Sequence, residues 1–293
     1  MNLRLLSPVR RLAACVAAAL AIAALPAVQL AAAPGAAAAP AHSHSHSHAY
    51  VPQAKPRSGS PMQYGGGPVQ TNPVVYLDFW GSQWHSDGNG VQQYLTNLFN
   101  GLGTSQDNWS TITSQYTDYT GTGSSFNGPV LGGTWVDDAT PAPAAAAQSD
   151  IAAEADNAAG YFGVAGNPNV QIVVLSPHGT SPDGWPGSGF CAWHDYTGSV
   201  SYTNMPYQLD APVGSRCPNS ALGGKLDAFS IVEGHEYAES ISDPQAGNGW
   251  VNALGQEIGD VCESNFQKVT LPTGTFAMQP IWSNAAGGCV ISG

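Results

Sequence analysis

One stretch constrains this chain more than any other, the sixteen residues Phe229-Ser-Ile-Val-Glu-Gly-His-Glu-Tyr-Ala-Glu-Ser-Ile-Ser-Asp-Pro244. Ile231, Val232, Ala238 and Ile241 call for a helix that is substantially buried. Leu226-Asp227 before it and Asp243-Pro244 after it bound that helix to Ala228–Ser242. Yet three Glu and one His fall within residues 233–239, in a chain that is only 10% charged. An uncompensated buried carboxylate is costly, so a fold that buries this helix must bring something to its acids. His235 and Glu239 are four apart and share one helix face, one turn apart. An imidazole and a carboxylate at that spacing can bind one metal ion. Glu236 projects about 100° further round the helix, where a carboxylate can take the proton of an attacking water. The competing picture is a solvated acidic face, with Glu233, Glu236 and Glu239 on the surface and His235 half-buried. The apolar neighbours argue against it.

A catalytic zinc needs a third protein ligand and an open fourth position. Asp243, eight residues past His235, lies ~12 Å along the helix axis, too far to share the ion, and reads as a helix-end residue held by Pro244. Gly255-Gln-Glu-Ile-Gly-Asp-Val-Cys-Glu263 supplies three acids 18 to 24 residues beyond Glu239, pinned by Cys262. Asp260 is the first choice there and Glu257 the second. A turn with solvated acids is the alternative, since Gly259-Asp260 is turn-like. His194, in Phe190-Cys-Ala-Trp-His-Asp195, could ligate the metal, orient substrate or stabilise an oxyanion, or could simply pack beside Trp193. His85 and His178 lie in Gly/Pro/Ser loops without a supporting pattern. Gly187-Ser188-Gly189 lacks the strand-to-helix setting of a hydrolase nucleophile, and nothing pairs two acids as in a glycosidase.

The first forty residues read as a leader. Arg4, Arg10 and Arg11 precede an apolar run, Leu12–Leu30, followed by small residues, which is the pattern of a cleaved secretory signal. The run is long enough to span a bilayer, but Pro26 and its Ala-rich character favour cleavage, and most of the apolar stretch follows Cys15 instead of preceding it, which excludes a lipoprotein box. Residues 41–68, with His42, His44, His46 and His48 alternating with Ser, read as a disordered linker or pro-segment able to capture a cation transiently. A single domain is expected over 69–293. From Tyr64 onward Arg216, Lys225 and Lys268 face 20 acids. No basic face is left for nucleic acid or an acidic membrane surface, and a monomer is expected.

Cys191, Cys217, Cys262 and Cys289 remain after the leader. An even number in an exported chain implies two disulfides. Of the three pairings, Cys191–Cys217 with Cys262–Cys289 staples two separate loop regions. A cysteine-rich zinc site has no Cys-x-x-Cys pair to support it.

The element pattern predicts strands at 73–80, 129–136 and 169–175, helices at 90–100 and 151–162, a hairpin pair at 190–194 and 199–204, the helix near 228–242, and a coiled, loop-rich, disulfide-stapled C-terminal part. This alternation predicts an α+β (mixed α/β) fold with a mixed sheet and packed helices.

Phe190-Cys-Ala-Trp-His, the Ser-Asp-Pro-Gln-Ala-Gly-Asn-Gly-Trp250 stretch and Tyr76-Leu-Asp-Phe-Trp-Gly resemble the EXORDIUM-like, phosphate-induced family of secreted proteins over roughly Val74 to Val290. With His235-Glu236-x-x-Glu239 and Glu257-Ile-Gly-Asp260 the chain is more similar to bacterial relatives that keep the motif than to plant members. The motif also resembles zincin metallopeptidases, in which the edge strand of a twisted sheet lines the cleft above the metal helix. That resemblance implies a zincin-like fold with Ser199–Asn204 as the edge strand. Glu239 stands where zincins carry His, which bears on the metal's identity and affinity. The expected function is a secreted, zinc-dependent peptidase acting on a peptide or protein, with one Zn2+ held by His235, Glu239 and Asp260 and with Glu236 as general base. The alternative is a non-catalytic extracellular or cell-wall-associated binding protein of the EXORDIUM-like family.

Overall fold

Strand and helix order follows the hydrophobic periodicity closely. The computed structural model describes residues 61–215 and 217–293; the expected signal segment and most of the expected linker lie outside them. In chain order the elements are β1 (Gln63–Tyr64), β2 (Val74–Trp80), α1 (Val91–Gly101), β3 (Leu131–Asp137), α2 (Gln148–Phe162), β4 (Val170–Leu175), β5 (Trp193–Tyr196), β6 (Ser201–Met205), α3 (Asp227–Ser242), β7 (Trp250–Val251), β8 (Gln267–Leu271), β9 (Gly274–Met278), β10 (Ile281–Ser283) and β11 (Gly288–Val290).

The main sheet has the order β3-β2-β4-β6-β5. β3, β2, β4 and β6 run parallel, and β5 closes one edge antiparallel to β6. The strand expected at the edge, Ser199–Asn204, is therefore an interior one; the edge belongs to Trp193–Tyr196. A tight reversal at Thr197–Val200, closed by Thr197 N–H to the Val200 carbonyl at 3.0 Å, folds β5 outward from β6.

Side chains alternate between the sheet's two faces. Val75, Leu77 and Phe79 of β2, with Val173 and Leu175 of β4, pack on the side of α1 and α3. Ile172, Val174 and Tyr202 pack on the side of α2. The same alternation turns Trp193 to the α2 side and His194 to the α3 side, against Glu236. All sixteen residues of α3 are buried, because β5 and β6 cover one flank while α1 and β9 cover others. The solvated acidic face is excluded: Glu233, Glu236 and Glu239 have no exposed surface.

Two further expectations need correction. The packed region starts before Val69: Met62 is buried in the main core, and β1 pairs with β7. Gly65-Gly66-Gly67 looked like linker, but a Cβ at Gly65 would lie 2.7 Å from the Asn248 carbonyl oxygen, so glycine serves a close backbone approach. The C-terminal part, expected as coil, forms two hairpins, β8–β9 and β10–β11. Leu271-Pro-Thr-Gly274 turns the first of them. Both disulfides form as expected, Cys191–Cys217 and Cys262–Cys289. No helix among the described residues is long and apolar enough to cross a membrane.

Candidate metal centre

Helix α3 sets the first pair. Its 3.6-residue repeat stacks Glu239 one turn above His235, with His235 Nε2 3.1 Å from Glu239 Oε2. The chain then returns alongside. Asn252 Oδ1 accepts the backbone N–H groups of Leu254 and Gln256, turning the chain back toward α3. Asp260 Oδ2 accepts the Glu257 N–H at 3.0 Å, tightening a short 3-10 turn over Asp260–Cys262. The Gly259 and Asp260 N–H groups both donate to Glu239 Oε1 at 3.1 Å. Asp260 Oδ1 thereby lies 3.9 Å from His235 Nε2.

From the opposite side, β5 delivers His194. Its Nδ1 is 3.1 Å from Glu236 Oε2 and 3.7 Å from Glu239 Oε2. Its Nε2 is 3.5 Å from Glu257 Oε1 and 3.3 Å from the Asp243 carbonyl oxygen. Asp243 stays out of the cluster through its side chain, which accepts the N–H groups of Gly247, Asn248 and Gly249 and folds the turn after α3. The disulfides brace both incoming segments: Cys191 is three residues before His194, and Cys262 two after Asp260.

Two sets of ligand atoms result, each within 4.8 Å: His235, Glu239 and Asp260, and His194, Glu239 and Glu257. The first is the expected triad. Glu257, the second choice, belongs with His194 instead. Glu236 ligates in neither set and faces His194. Glu233 takes part in neither.

The two histidines pair with Glu236, Glu239, Glu257 and Asp260. Burial works against a charged ring, but the Glu236 carboxylate outweighs it and holds His194 up at about 9. Burial likewise opposes His235, and Glu239 raises it to about 10. Burial pushes Glu257 and Asp260 well above the usual carboxylate range, and Glu239 adds to both. Glu239 runs the other way: burial would raise it, but His235 draws it below its ordinary value. Glu239 is thus the anion on which both histidines converge.

Two residues were not legible as functional. Gln279 is fully buried; its Nε2 donates to the Gly259 carbonyl at 3.2 Å and lies 3.0 Å from His235 Nδ1. With a neutral ring, Nδ1 accepts from this amide and Nε2 carries the proton. A charged ring, or one ligating through Nε2, carries a proton on Nδ1, and the amide must then present its oxygen. Gly259 leaves room for that ring: a Cβ there would lie 2.6 Å from Nδ1. The strand alternation at Trp193-His194-Asp195 was the one sequence signal that could have placed His194 opposite α3.

No protein-family model, no curated protein and no solved structure matches this chain.

Proposed function

We propose that the protein is a secreted, zinc-dependent hydrolase of the metallopeptidase kind. The observation that carries this is convergence. A helical pair and an acid from a separate return segment bring three ligand atoms within 4.8 Å of one another, inside the fold. The donors suit the ion: one imidazole and two carboxylates are acceptable zinc ligands, and Glu239 Oε2, fully buried, faces the His235 and His194 rings at 3.1 and 3.7 Å. The antiparallel edge strand beside the helix, and the resemblance of the motif to zincins, support the same reading. When bound, Zn2+ acidifies water and polarises a carbonyl oxygen.

The chain's own groups do the rest. His235, Glu239 and Asp260 hold the ion. Glu236 accepts the water proton and returns it to the leaving amine of a peptide substrate. His194, 3.1 Å from Glu236, orients that carboxylate. The N-terminal leader and the two disulfides support export to an oxidising compartment.

A second reading is favoured by one observation: the side chains of His194, His235, Glu236 and Glu239 have no exposed surface. On that reading the protein is a non-catalytic extracellular or cell-wall-associated binding protein. The test is zinc content per chain with peptidase activity before and after chelation. Glu236→Gln should keep zinc and lose about 10²–10⁴-fold in rate, and His235→Ala should lose both. Stoichiometric zinc without hydrolysis decides for the binding protein. A folded, zinc-free chain refutes the metal centre.

A further inference from the structure

We propose that the cluster is a two-ion centre, in which His194, Glu239 and Glu257 hold a second divalent transition-metal ion and Glu239 is shared with the first. The inference rests on the proposed zinc site only through Glu239.

The geometry comes from three separate parts of the chain. β5 supplies His194, α3 supplies Glu239, and the segment after Gly255 supplies Glu257, with their ligand atoms within 4.8 Å of one another. All three are buried. Ligand atoms on one zinc, at ~2.0–2.2 Å from it, lie no more than about 4.4 Å apart. Each set spans up to 4.8 Å, slightly wider than that, so a small inward shift of side chains would close either around an ion, and the two approach Glu239 with different rings and different acids. Glu239 Oε2 lies between the rings, 3.1 Å from His235 Nε2 and 3.7 Å from His194 Nδ1. That oxygen is fully buried and paired with the His235 ring, while the other, Oε1, is fixed by two backbone N–H groups. One oxygen is thus pinned by the backbone and the other directed between two imidazoles, an arrangement suited to a shared ligand. One imidazole and two carboxylates accept Zn2+ and Mn2+ alike.

Glu236 then acquires a more specific setting. It lies beside His194, on the second ion's side of Glu239. In two-metal sites the ions jointly stabilise the attacking and leaving oxygens, so a base flanking the second ion stands near the attacking group.

The test uses the full chain with His42, His44, His46 and His48 replaced by Ser, so that the His-rich segment does not contribute. Zn2+ per chain is measured by equilibrium dialysis, and Mn2+ is added for electron paramagnetic resonance. Two ions per chain are expected, with a spin-coupled Mn2+ signal at two equivalents. His194→Ala and Glu257→Gln should each lower the count from two to one and abolish the coupling. Asp260→Asn should also leave one ion, and Glu239→Gln none. If His194→Ala fails to fold, Glu257→Gln and the spin coupling of the unsubstituted chain decide. One ion per chain, lost in His235→Ala but kept in His194→Ala, overturns the second site and leaves the zinc reading standing. One ion lost in both variants also overturns it, by making His194 a ligand of a single centre. No bound ion refutes both.

Discussion

Gly259→Ala isolates the proposed metal centre from the rest of the fold. Gly259 has φ −81° and ψ −43°, a conformation open to any residue, so the backbone would tolerate alanine. The added Cβ would not be tolerated by the site. It would lie 2.6 Å from His235 Nδ1, 2.9 Å from His235 Cε1 and 2.8 Å from Glu239 Oε1, where ordinary contact begins at 3.4 Å. The ring must withdraw by about 0.8 Å to restore contact distance, against a tolerance of about 0.2 Å in metal–ligand distances. Overpacking of this kind costs about 1–3 kcal/mol. Expressed wholly in metal binding, that is a loss of about 5- to 150-fold in affinity. Zinc affinity is measured by competition with a chromophoric chelator, and melting is followed with and without zinc. Gly160→Ala, in α2, is the control, because nothing lies within 4 Å of its added Cβ. It should stabilise by about 0.4–1 kcal/mol and leave zinc affinity alone. A Gly259→Ala protein within twofold of the parent in zinc affinity would refute the contact argument.

Replacing Cys191 and Cys217, or Cys262 and Cys289, by Ser opens loops of 26 and 27 residues. Each should cost roughly 3–4 kcal/mol in chemical denaturation, and a midpoint unchanged within error would count against it. Gly65→Ala should detach β1 from β7, since its Cβ would meet the Asn248 carbonyl oxygen at 2.7 Å; hydrogen exchange at Gly67, whose N–H donates to the Asn248 carbonyl at 2.7 Å, should rise while α2 stays protected. Burial, partly offset by Asp78, pushes Glu154 up to about 7, and burial beside Glu154 pushes Asp78 well above the usual range. The folded state then binds more protons than the unfolded chain between about 4.5 and 7, so this pair makes stability fall as pH rises through that window. Glu154→Gln should flatten the fall in zinc-free protein, and an unchanged slope would show that the pair does not cause it.

Local periodicity made much of this protein legible. The repeat of a helix places His235 and Glu239 on one face wherever that helix sits. A buried-strand run marked β2, β-branched residues marked β4, and four cysteines spaced as two pairs pointed to the bridges that form. Each depends on residues near in sequence, whose relation is set by backbone geometry. The sequence also pointed to Asp260, in a pinned return segment rich in acids, and the fold sets it 3.9 Å from His235. It did not reveal that His194 faces α3, that Glu257 belongs with His194, or that Gln279 and Gly259 set the state and position of the His235 ring. Those relations span about 24 to 63 residues of sequence and are created when β5 pairs outside β6 and the return segment closes over α3. Nor could the run of glycines at 65–67 show whether it was free linker or a close backbone approach. The sequence determined which side chains could share a metal ion; sheet order and loop closure decided which of them meet, because contacts between distant segments are set by packing and not by the repeat of any one element.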